Sequence, residues 1–372
     1  LHTFTNQWFD YSEDRMIEAI KRMPGGAGIA HSTHDAIPGT PPDGITITSE
    51  VSIDPENAYI EVDLTDNPEA MQCGLNVSEA CTRTSTMIGI FNSVDNTVPK
   101  NAGAFRRVKL HLKDNGVVGV PRHPTSCSAA TTNLADRVQN STMRAMAQIG
   151  EGLGMGEIGC FCPPSTSVVS GTDPRNGKPY VNQLFLGHTA GAGAPREDAW
   201  MTMLHAGNGG MCFIDSVELD EIYTPIQVKT RRLIEDSEGA GRFRGAPGIE
   251  VELRPVNCRM EVGFVADGNI HKPLGARGGG AAAKSDQFRR TRGGELERLD
   301  QCSQVWIEDG EALVSIACGG GGYGEPKTRD PARVLRDVRE GLVSRNRAAD
   351  VYGVVVTETM EIDEAATVAL RN

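Results

Sequence analysis

The sequence has few aromatic residues and no long hydrophobic run. Aromatic side chains make up 5% of its 372 residues, whereas 43 residues are glycine. This composition is typical of a protein with many turns, bulges and short strands, and not of a helical bundle. No apolar run approaches the roughly 18 residues that a transmembrane helix needs, and the first residues do not have the pattern of a signal peptide. We therefore expect a soluble, cytoplasmic protein.

The chain also lacks an excess of basic residues and a repeated cysteine spacing. Its 37 Lys and Arg against 49 Asp and Glu give a formal net charge of −12, which argues against binding to nucleic acid or to an anionic membrane. Among its nine cysteines, only Cys160 and Cys162 lie close together, and a zinc site would require a second pair. The cysteines are expected to be free thiols in a reducing compartment.

A chain of this length fits one large domain or two medium ones. The patterning predicts an α+β fold whose mixed or antiparallel sheets are rich in short strands, with a few helices. Residues 1–155 are expected to form a helix-strand-helix α+β region. Residues 156–372 are expected to form a glycine-rich β region that ends in a pair of short helices. Because the chain begins with Leu1 and not with methionine, we expect it to be processed, shortened by design or the later part of a longer product.

Hydrophobic periodicity predicts the main elements of the first region. Residues 8–23 have helical spacing, residues 24–45 are rich in Pro, Gly, Ser and Thr and indicate a loop, and residues 44–53 and 58–64 alternate as the two strands of a hairpin. A long helix is predicted over residues 129–149. Its apolar face would carry Leu134, Val138, Ala145 and Ile149, and its other face Asn133, Arg137 and Asn140.

Local signals predict the end of the second region. The glycine run at residues 319–322 must be a loop, because glycine is unfavourable inside helices and strands. Asp330 followed by Pro331 is a helix start, Gly341 a helix stop and Ser344 a second helix start. Further predictions are a strand region that begins at residue 217, an exposed loop or hairpin at residues 281–303 and a strand at residues 354–356.

Several segments together resemble the hydantoinase B/oxoprolinase family. The resemblance rests on residues 101–106 (Asn-Ala-Gly-Ala-Phe-Arg), 237–245 (Ser-Glu-Gly-Ala-Gly-Arg-Phe-Arg-Gly), 274–280 and the ordered loop, cap, helix, glycine stop and cap of the C-terminal segment. These segments occur in the family's order and cover about residues 4–356. Residues 63–65 (Asp-Leu-Thr) resemble the family's Asp-Phe-Thr segment, although Asp66 stands where the family usually has glycine.

The resemblance implies part of an ATP-dependent hydrolase of cyclic amides such as hydantoins or 5-oxoproline. Its partner would be a hydantoinase A-type subunit, which would provide most of the ATP-binding contacts. The alternatives are a subunit of an ATP-dependent ketone carboxylase and, from another class, a non-catalytic assembly subunit. The family also uses a divalent metal such as Mn, Zn or Mg, whose ligands lie mainly in an N-terminal metal-binding segment of the B-type subunit that has no counterpart in this sequence.

The candidate residues for substrate binding lie at strand ends, on the long helix and in glycine-lined loops. They are Asp63, Thr65, Asn133, His188, His205 and Asn208. The alternative for Asp63 and Thr65 is that they only cap a turn, and the alternative for His188 and His205 is a structural role.

Two further groups have suggestive residue types but weak context. His31, His34 and Asp35 are the types that bind metals, but in a predicted loop nothing would fix them on one face. Cys127 precedes the long helix, whose N-terminus would lower the pKa of a thiol and favour a nucleophile. The alternative for Cys127 is an inert thiol.

Overall fold

The computed structural model describes residues 1–163, 167–199 and 214–372. The chain forms two compact units, Leu1–Met155 and Gly156–Asn372. Both combine helices with sheets of short strands, in agreement with the predicted α+β class. Independent folding of each unit as a domain remains a prediction. Among the described residues, no helix is both long and apolar enough to cross a membrane.

A four-stranded sheet lies at the centre of the first unit. Its strands, in spatial order, are β1 (Gly26–His34), β2 (Ile45–Asp54), β3 (Tyr59–Asp63) and β4 (Val108–His111). β2 is antiparallel to both β1 and β3, whereas β3 and β4 are parallel. The predicted hairpin is therefore confirmed as β2 and β3. A separate parallel pair is formed by β5 (Lys113–Asp114) and β6 (Gly119–Val120).

The helices of the first unit are α1 (His2–Lys21), α2 (Glu79–Phe91), α3 (Ala102–Phe105) and α4 (Leu134–Ile149). α4 follows a 3-10 turn, Ala130–Thr132, so the long helix begins later than predicted. α4 packs on β1 and β2 and against α2. Its approach to β1 is so close that a Cβ at Gly28 would lie 2.3 Å from the carbonyl oxygen of Ala145.

The predicted loop at residues 24–45 is wrong where β1 (Gly26–His34) occupies it, whereas residues 35–44 are a loop as predicted. The buried face of β1 consists of Gly28, Ala30, Ser32 and His34, whereas its large apolar residue, Ile29, is 48% exposed. Small and polar side chains replace the usual apolar alternation because α4 lies so close. The amino-acid composition of this segment is therefore similar to that of a loop.

Two antiparallel sheets and the core between them dominate the second unit. One sheet has β13 (Leu296–Arg298), β12 (Asp286–Arg290), β15 (Ala312–Ala317), β10 (Ile249–Pro255) and β9 (Ile226–Leu233) in that order. The other has β14 (Cys302–Ile307), β11 (Met260–Val265), β7 (Ser167–Thr172) and β8 (Pro179–Leu184). Side chains of both sheets share one apolar cluster. The pairing of β12 with β13 confirms the predicted hairpin.

The glycine run at residues 319–322 is a loop, as predicted, but it is buried. Its backbone pairs with other glycine-rich segments. Gly239 N–H donates to the carbonyl oxygen of Gly320 at 2.8 Å, and Gly322 N–H donates to that of Gly280 at 3.0 Å. A Cβ at Gly320 would lie 1.9 Å from the carbonyl oxygen of Gly191. Glycine here allows backbones to pack directly against one another.

Helices complete the second unit: α5 (Val217–Tyr223), α6 (Pro331–Arg339), α7 (Arg345–Asp350) and α8 (Glu364–Arg371). The predicted caps are confirmed. The Asp330 carboxylate accepts from Ala332 N–H at 2.9 Å, the Ser344 hydroxyl accepts from Arg347 N–H at 3.1 Å, and Gly341 has a φ of +69°.

Three details of the predicted second region differ in the structure. Residue 217 begins α5 and not a strand, because the Ser216 side chain caps the helix by accepting from Leu219 N–H. Residues 354–356 form no strand and contribute only one isolated bridge, between Val356 and Ile362. The predicted pair of C-terminal helices is present as α6 and α7, and α8 follows as an unpredicted third.

Candidate functional site

Helix α4 buries polar side chains together with its apolar ones. Asp136, Arg137, Gln139 and Asn140 are each at most 3% exposed. The predicted division into a buried apolar face and a second polar face therefore does not hold, since both faces are buried. Burying ionisable groups costs free energy, and such groups concentrate at functional sites. The contacts of α4 therefore define the candidate site in the first unit.

The start of α4 meets the end of β1 through a pair of side chains that are 99 residues apart in the sequence. His34 Nδ1 lies 2.7 Å from the carbonyl oxygen of Asp35, and His34 Nε2 lies 3.2 Å from Asn133 Nδ2. The carbonyl can only accept, so Nδ1 donates to it, and Nε2 accepts from the Asn133 amide. The Thr132 hydroxyl donates to Asn133 Oδ1 at 3.0 Å, which agrees with this orientation.

One helical turn further along, Arg137 repeats the contact with the same strand. Its Nη1 donates to Ser32 Oγ at 3.4 Å. Ser32 and His34 are two residues apart on one strand face, and Asn133 and Arg137 are four apart on one helix face, so the two spacings match. We call Ser32, His34, Asp35, Asn133 and Arg137 the α4 cluster. Each of its residues is at most 2% exposed.

The last turns of α4 hold the free edge of β1. Gln148 Nε2 donates to the carbonyl oxygen of Ile29 at 2.7 Å and its Oε1 accepts from Ile29 N–H at 3.1 Å. Arg144 Nη1 donates to the carbonyl oxygen of His31 at 2.6 Å. Because β1 is an edge strand, these side chains satisfy backbone groups that a neighbouring strand would otherwise bind. They also fix the position of α4 along β1, and with it the α4 cluster.

The α4 cluster combines donors and acceptors that a polar ligand needs. The Arg137 guanidinium donates to Ser32, the Asn133 amide donates to His34, and the Asp35 backbone carbonyl accepts from His34. In a buried site these groups interact more strongly with charge than they would in water. Such an arrangement suits a carbonyl or phosphoryl oxygen that gains negative charge during a reaction.

Asp63 and Thr65 form a local turn at the end of β3. Asp63 Oδ1 accepts from Thr65 N–H at 2.7 Å and from the Thr65 hydroxyl at 2.6 Å. Partial burial would raise the pKa of Asp63, but these two hydrogen bonds and the nearby His111 outweigh it and lower the pKa. The geometry corresponds to the turn-capping alternative, and a role of this pair in substrate binding remains a prediction.

The residues proposed from sequence as weak metal ligands do not share a face. His31 is exposed on one side of β1 and hydrogen-bonds Thr48 Oγ1 at 2.8 Å, whereas His34 is buried on the other. Within residues 1–163, 167–199 and 214–372, no group of three or more His, Cys, Asp or Glu side chains could hold a metal ion. These residues therefore do not fit the divalent metal that the family implies.

The remaining candidates belong to the second unit. His188 is 2% exposed and its Nε2 lies 2.8 Å from the carbonyl oxygen of Pro247, to which it donates. Burial lowers the pKa of His188, and this effect outweighs the opposing hydrogen bond. The ring is therefore a neutral donor near neutral pH. His205 and Asn208 lie outside the described residues.

Comparison with known proteins identifies the family. The model of the family described as hydantoinase B/oxoprolinase matches residues 1–326. The chain belongs to the hydantoinase B/oxoprolinase family. Its resemblance to that family in sequence motifs is thereby confirmed.

Members of the hydantoinase B/oxoprolinase family share both sequence and fold with this chain. Caprolactamase subunit beta of Pseudomonas jessenii is 30% identical over 342 residues, which are 88% of this chain and 56% of that protein. The crystal structure of the ATP-dependent caprolactamase from P. jessenii superposes with a TM-score of 0.83 at 24% identity, over 98% of this chain and 63% of that one. Nucleotide-free acetone carboxylase gives a TM-score of 0.80 at 17% identity, over 97% and 54%. The chain thus spans between 54% and 63% of the length of these three proteins.

Cys127 does not have the environment predicted for a nucleophile. Partial burial raises the pKa of its thiol. The helix start that follows Cys127 is the short 3-10 turn Ala130–Thr132, and α4 begins only at Leu134, seven residues after the thiol. A raised pKa keeps the thiol protonated and inert. The inert alternative therefore describes Cys127.

Sequence analysis missed Arg137 and undervalued His34. Both depend on the contact between β1 and α4, which are more than 90 residues apart and carry no local signal of their pairing. The available signal was the spacing of Asn133, Arg137 and Asn140 at three and four residues, which places them on one helix face. Among these three, only Asn133 was selected.

Proposed function

We propose that this chain forms the substrate-facing portion of a B-type subunit in an ATP-dependent hydrolase of cyclic amides. The observation that carries the proposal is the 30% identity to caprolactamase subunit beta along 88% of the chain, because caprolactam is itself a cyclic amide. Hydantoins and 5-oxoproline contain the same type of bond, a ring amide. The enzyme would be an amidohydrolase that acts only as part of a multi-subunit complex in the cytoplasm.

The α4 cluster provides the chemistry that such a reaction requires of the protein. An amide carbonyl is a poor electrophile, and ATP supplies phosphorylation that makes its oxygen part of a leaving group. The amide oxygen would attack the γ-phosphorus of ATP as ADP leaves, water would add to the activated carbon, the ring C–N bond would break, and a second water would release phosphate. Arg137 and Asn133 would donate to the oxygens of the transferred phosphoryl group, which carry the negative charge. Asp35 would accept the ring N–H and hold the amide in one orientation. His188, His205, Asn208, Asp63 and Thr65 remain further candidates for substrate contacts.

Two partners complete the proposed site. A hydantoinase A-type subunit would bind the ATP, since the proposal places the nucleotide mainly outside this chain. The divalent metal would be held by the N-terminal metal-binding segment that the family carries. This chain would supply the polar wall against which the small-molecule substrate is positioned.

The test uses the complex purified from its source with its partner subunits. We expect ADP release to depend on caprolactam, a hydantoin or 5-oxoproline, with one ring-opened product formed for each ADP. Each substrate is assayed separately, with its open-chain amide as the matched control. ADP release that is the same with and without every cyclic amide would refute the proposal.

A ketone carboxylase is the second candidate, and the fold shared with acetone carboxylase favours it. The same preparation distinguishes the two reactions, because a carboxylase would release ADP only when a ketone such as acetone and bicarbonate are both present. A third candidate, an assembly subunit without a catalytic role, predicts that variants of the α4 cluster assemble normally and turn over at the wild-type rate.

A further inference from the structure

Helix α1 exposes a stripe of large apolar side chains. Phe4, Trp8 and Tyr11 are 69%, 45% and 46% exposed, and Leu1 continues their line one turn earlier. The rings of Trp8 and Tyr11 stack at 5.5 Å between centroids. From the size of aromatic side chains, the three rings leave roughly 300 Å² of apolar surface in water. A patch of roughly 300 Å² is comparable with the largest apolar patch on a typical monomer, which is often functional.

This stripe is distinct from the face by which α1 packs on its own unit. That face carries Ser12, Met16, Ala19 and Ile20, all of them buried. It is reinforced by polar contacts, since Asn101 Nδ2 donates to Ser12 Oγ at 2.8 Å. The fold of the first unit therefore does not need the stripe. Its residues recur at alternating spacings of three and four, the pattern of a helix that packs along another helix.

Two exposed acidic residues follow the stripe along α1. Asp14 lies three positions after Tyr11 and Glu18 seven, and both carboxylates are exposed. Glu18 Oε2 lies 3.8 Å from Arg15 Nε, a long contact for an ion pair. A helix that covered the aromatic rings would bring its next turn over these carboxylates. Lysine or arginine at that turn would be the complementary residue.

We propose that the α1 stripe binds an amphipathic helix from the part of the B-type subunit that lies outside residues 1–372. The helix would carry apolar residues at spacings of three and four, followed by a basic turn opposite Asp14 and Glu18. The relatives leave room for this occupant, because the chain spans 56% of caprolactamase subunit beta and 63% of the crystallised caprolactamase chain. The inference depends on family membership and not on the proposed reaction.

Photo-crosslinking in the source organism tests the proposal on the protein with its natural partners. The Phe4 codon of the chromosomal gene is replaced by a stop codon at which benzoylphenylalanine is incorporated. After irradiation, the crosslinked peptide is identified by mass spectrometry. Asn6 is the matched control, because it is exposed on the same helix but points away from the stripe. We expect the Phe4 probe to yield at least about ten times more crosslink than the Asn6 probe, because an aromatic residue in a covered seam has the higher contact density. The crosslinked peptide should come from the same polypeptide outside residues 1–372.

Other outcomes would overturn the proposal. A crosslink to the A-type subunit would make that subunit the occupant, and a crosslink to residues 1–372 of a second copy would indicate self-association. A Phe4 yield no higher than that of Asn6 would mean that nothing covers the stripe. The Phe4→Asp, Trp8→Asp variant gives an independent check. Its isolated chain should unfold within about 3 °C of the wild-type temperature, because Phe4 is largely exposed and Trp8 loses chiefly its stacking on exposed Tyr11. Limited proteolysis should release the docked segment faster in the intact subunit.

Discussion

The Gly320→Ala substitution tests the packing of the glycine-rich segments. The new Cβ would lie 1.9 Å from the carbonyl oxygen of Gly191, so one backbone segment would have to move by more than about 1 Å. Gly320 also accepts from Gly239 N–H at 2.8 Å and donates to the carbonyl oxygen of Ala246 at 3.0 Å. Each buried group left without its partner costs about 1–3 kcal/mol. We expect the free energy of unfolding to fall by roughly 3–6 kcal/mol.

Guanidinium-chloride unfolding of the chain, followed by circular dichroism, measures this loss. The matched control is Gly263→Ala in β11, where a Cβ would meet no atom within 4 Å. The free energy of unfolding of that variant should lie within about 0.5 kcal/mol of the wild-type value or slightly above it, since alanine lowers the entropy of the unfolded chain. If Gly320→Ala lost no more stability than Gly263→Ala, the description of direct backbone packing would be wrong.

Three further substitutions test other parts of the structure. Arg329→Met should lower the free energy of unfolding by about 3 kcal/mol, because fully buried Arg329 binds Asp198 Oδ2 at 2.9 Å and Asp337 Oδ2 at 2.7 Å. Arg244 still binds Asp337 and Arg333 still lies near Asp198, which keeps the loss at the lower end for a broken buried pair; an unchanged denaturation midpoint would contradict this. Burial, together with nearby Asp215, raises the pKa of Asp220 to about 6, so the folded state favours the protonated form and loses stability as the pH rises from about 4 to 6. Asp220→Asn should therefore stabilise the chain by roughly 1–3 kcal/mol at pH 7 and not at pH 4, and an equal gain at both pH values would argue for another cause. Gln148→Leu removes both hydrogen bonds to Ile29 and should speed hydrogen exchange of the Ile29 amide at least about tenfold. The exposed variant Gln7→Leu is the control. Unchanged exchange in Gln148→Leu would show that the edge of β1 does not depend on Gln148.

Elements with a local chemical signal could be predicted from the sequence. Asp330, Gly341 and Ser344 mark helix ends through side-chain caps and a left-handed glycine, and neither depends on distant residues. The hairpin of β2 and β3 follows from alternation and a turn. Asp363, which accepts from Ala366 N–H at 2.9 Å, is a cap of the same kind. This cap is a local signal that predicts α8.

Elements defined by distant contacts could not be predicted in this way. β1 is a strand because α4 covers it, and the closeness of α4 requires the small residues that made the segment resemble a loop. The buried polar face of α4 has the same origin, since Arg137 and Asn133 are satisfied by Ser32 and His34 about 100 residues earlier. The glycine run at residues 319–322 correctly predicted a loop. Its burial depends on several other segments that meet only in the folded unit.

The most direct test of the proposed site is the turnover of the assembled complex with Arg137→Lys. This change keeps the positive charge but removes the planar guanidinium that donates to Ser32 Oγ. We expect kcat for ADP-coupled ring opening to fall at least about 100-fold, while native mass spectrometry shows an intact complex. Turnover within about twofold of wild type in an intact complex, well short of the loss expected for a catalytic donor, would contradict a catalytic role of the α4 cluster and favour an assembly subunit.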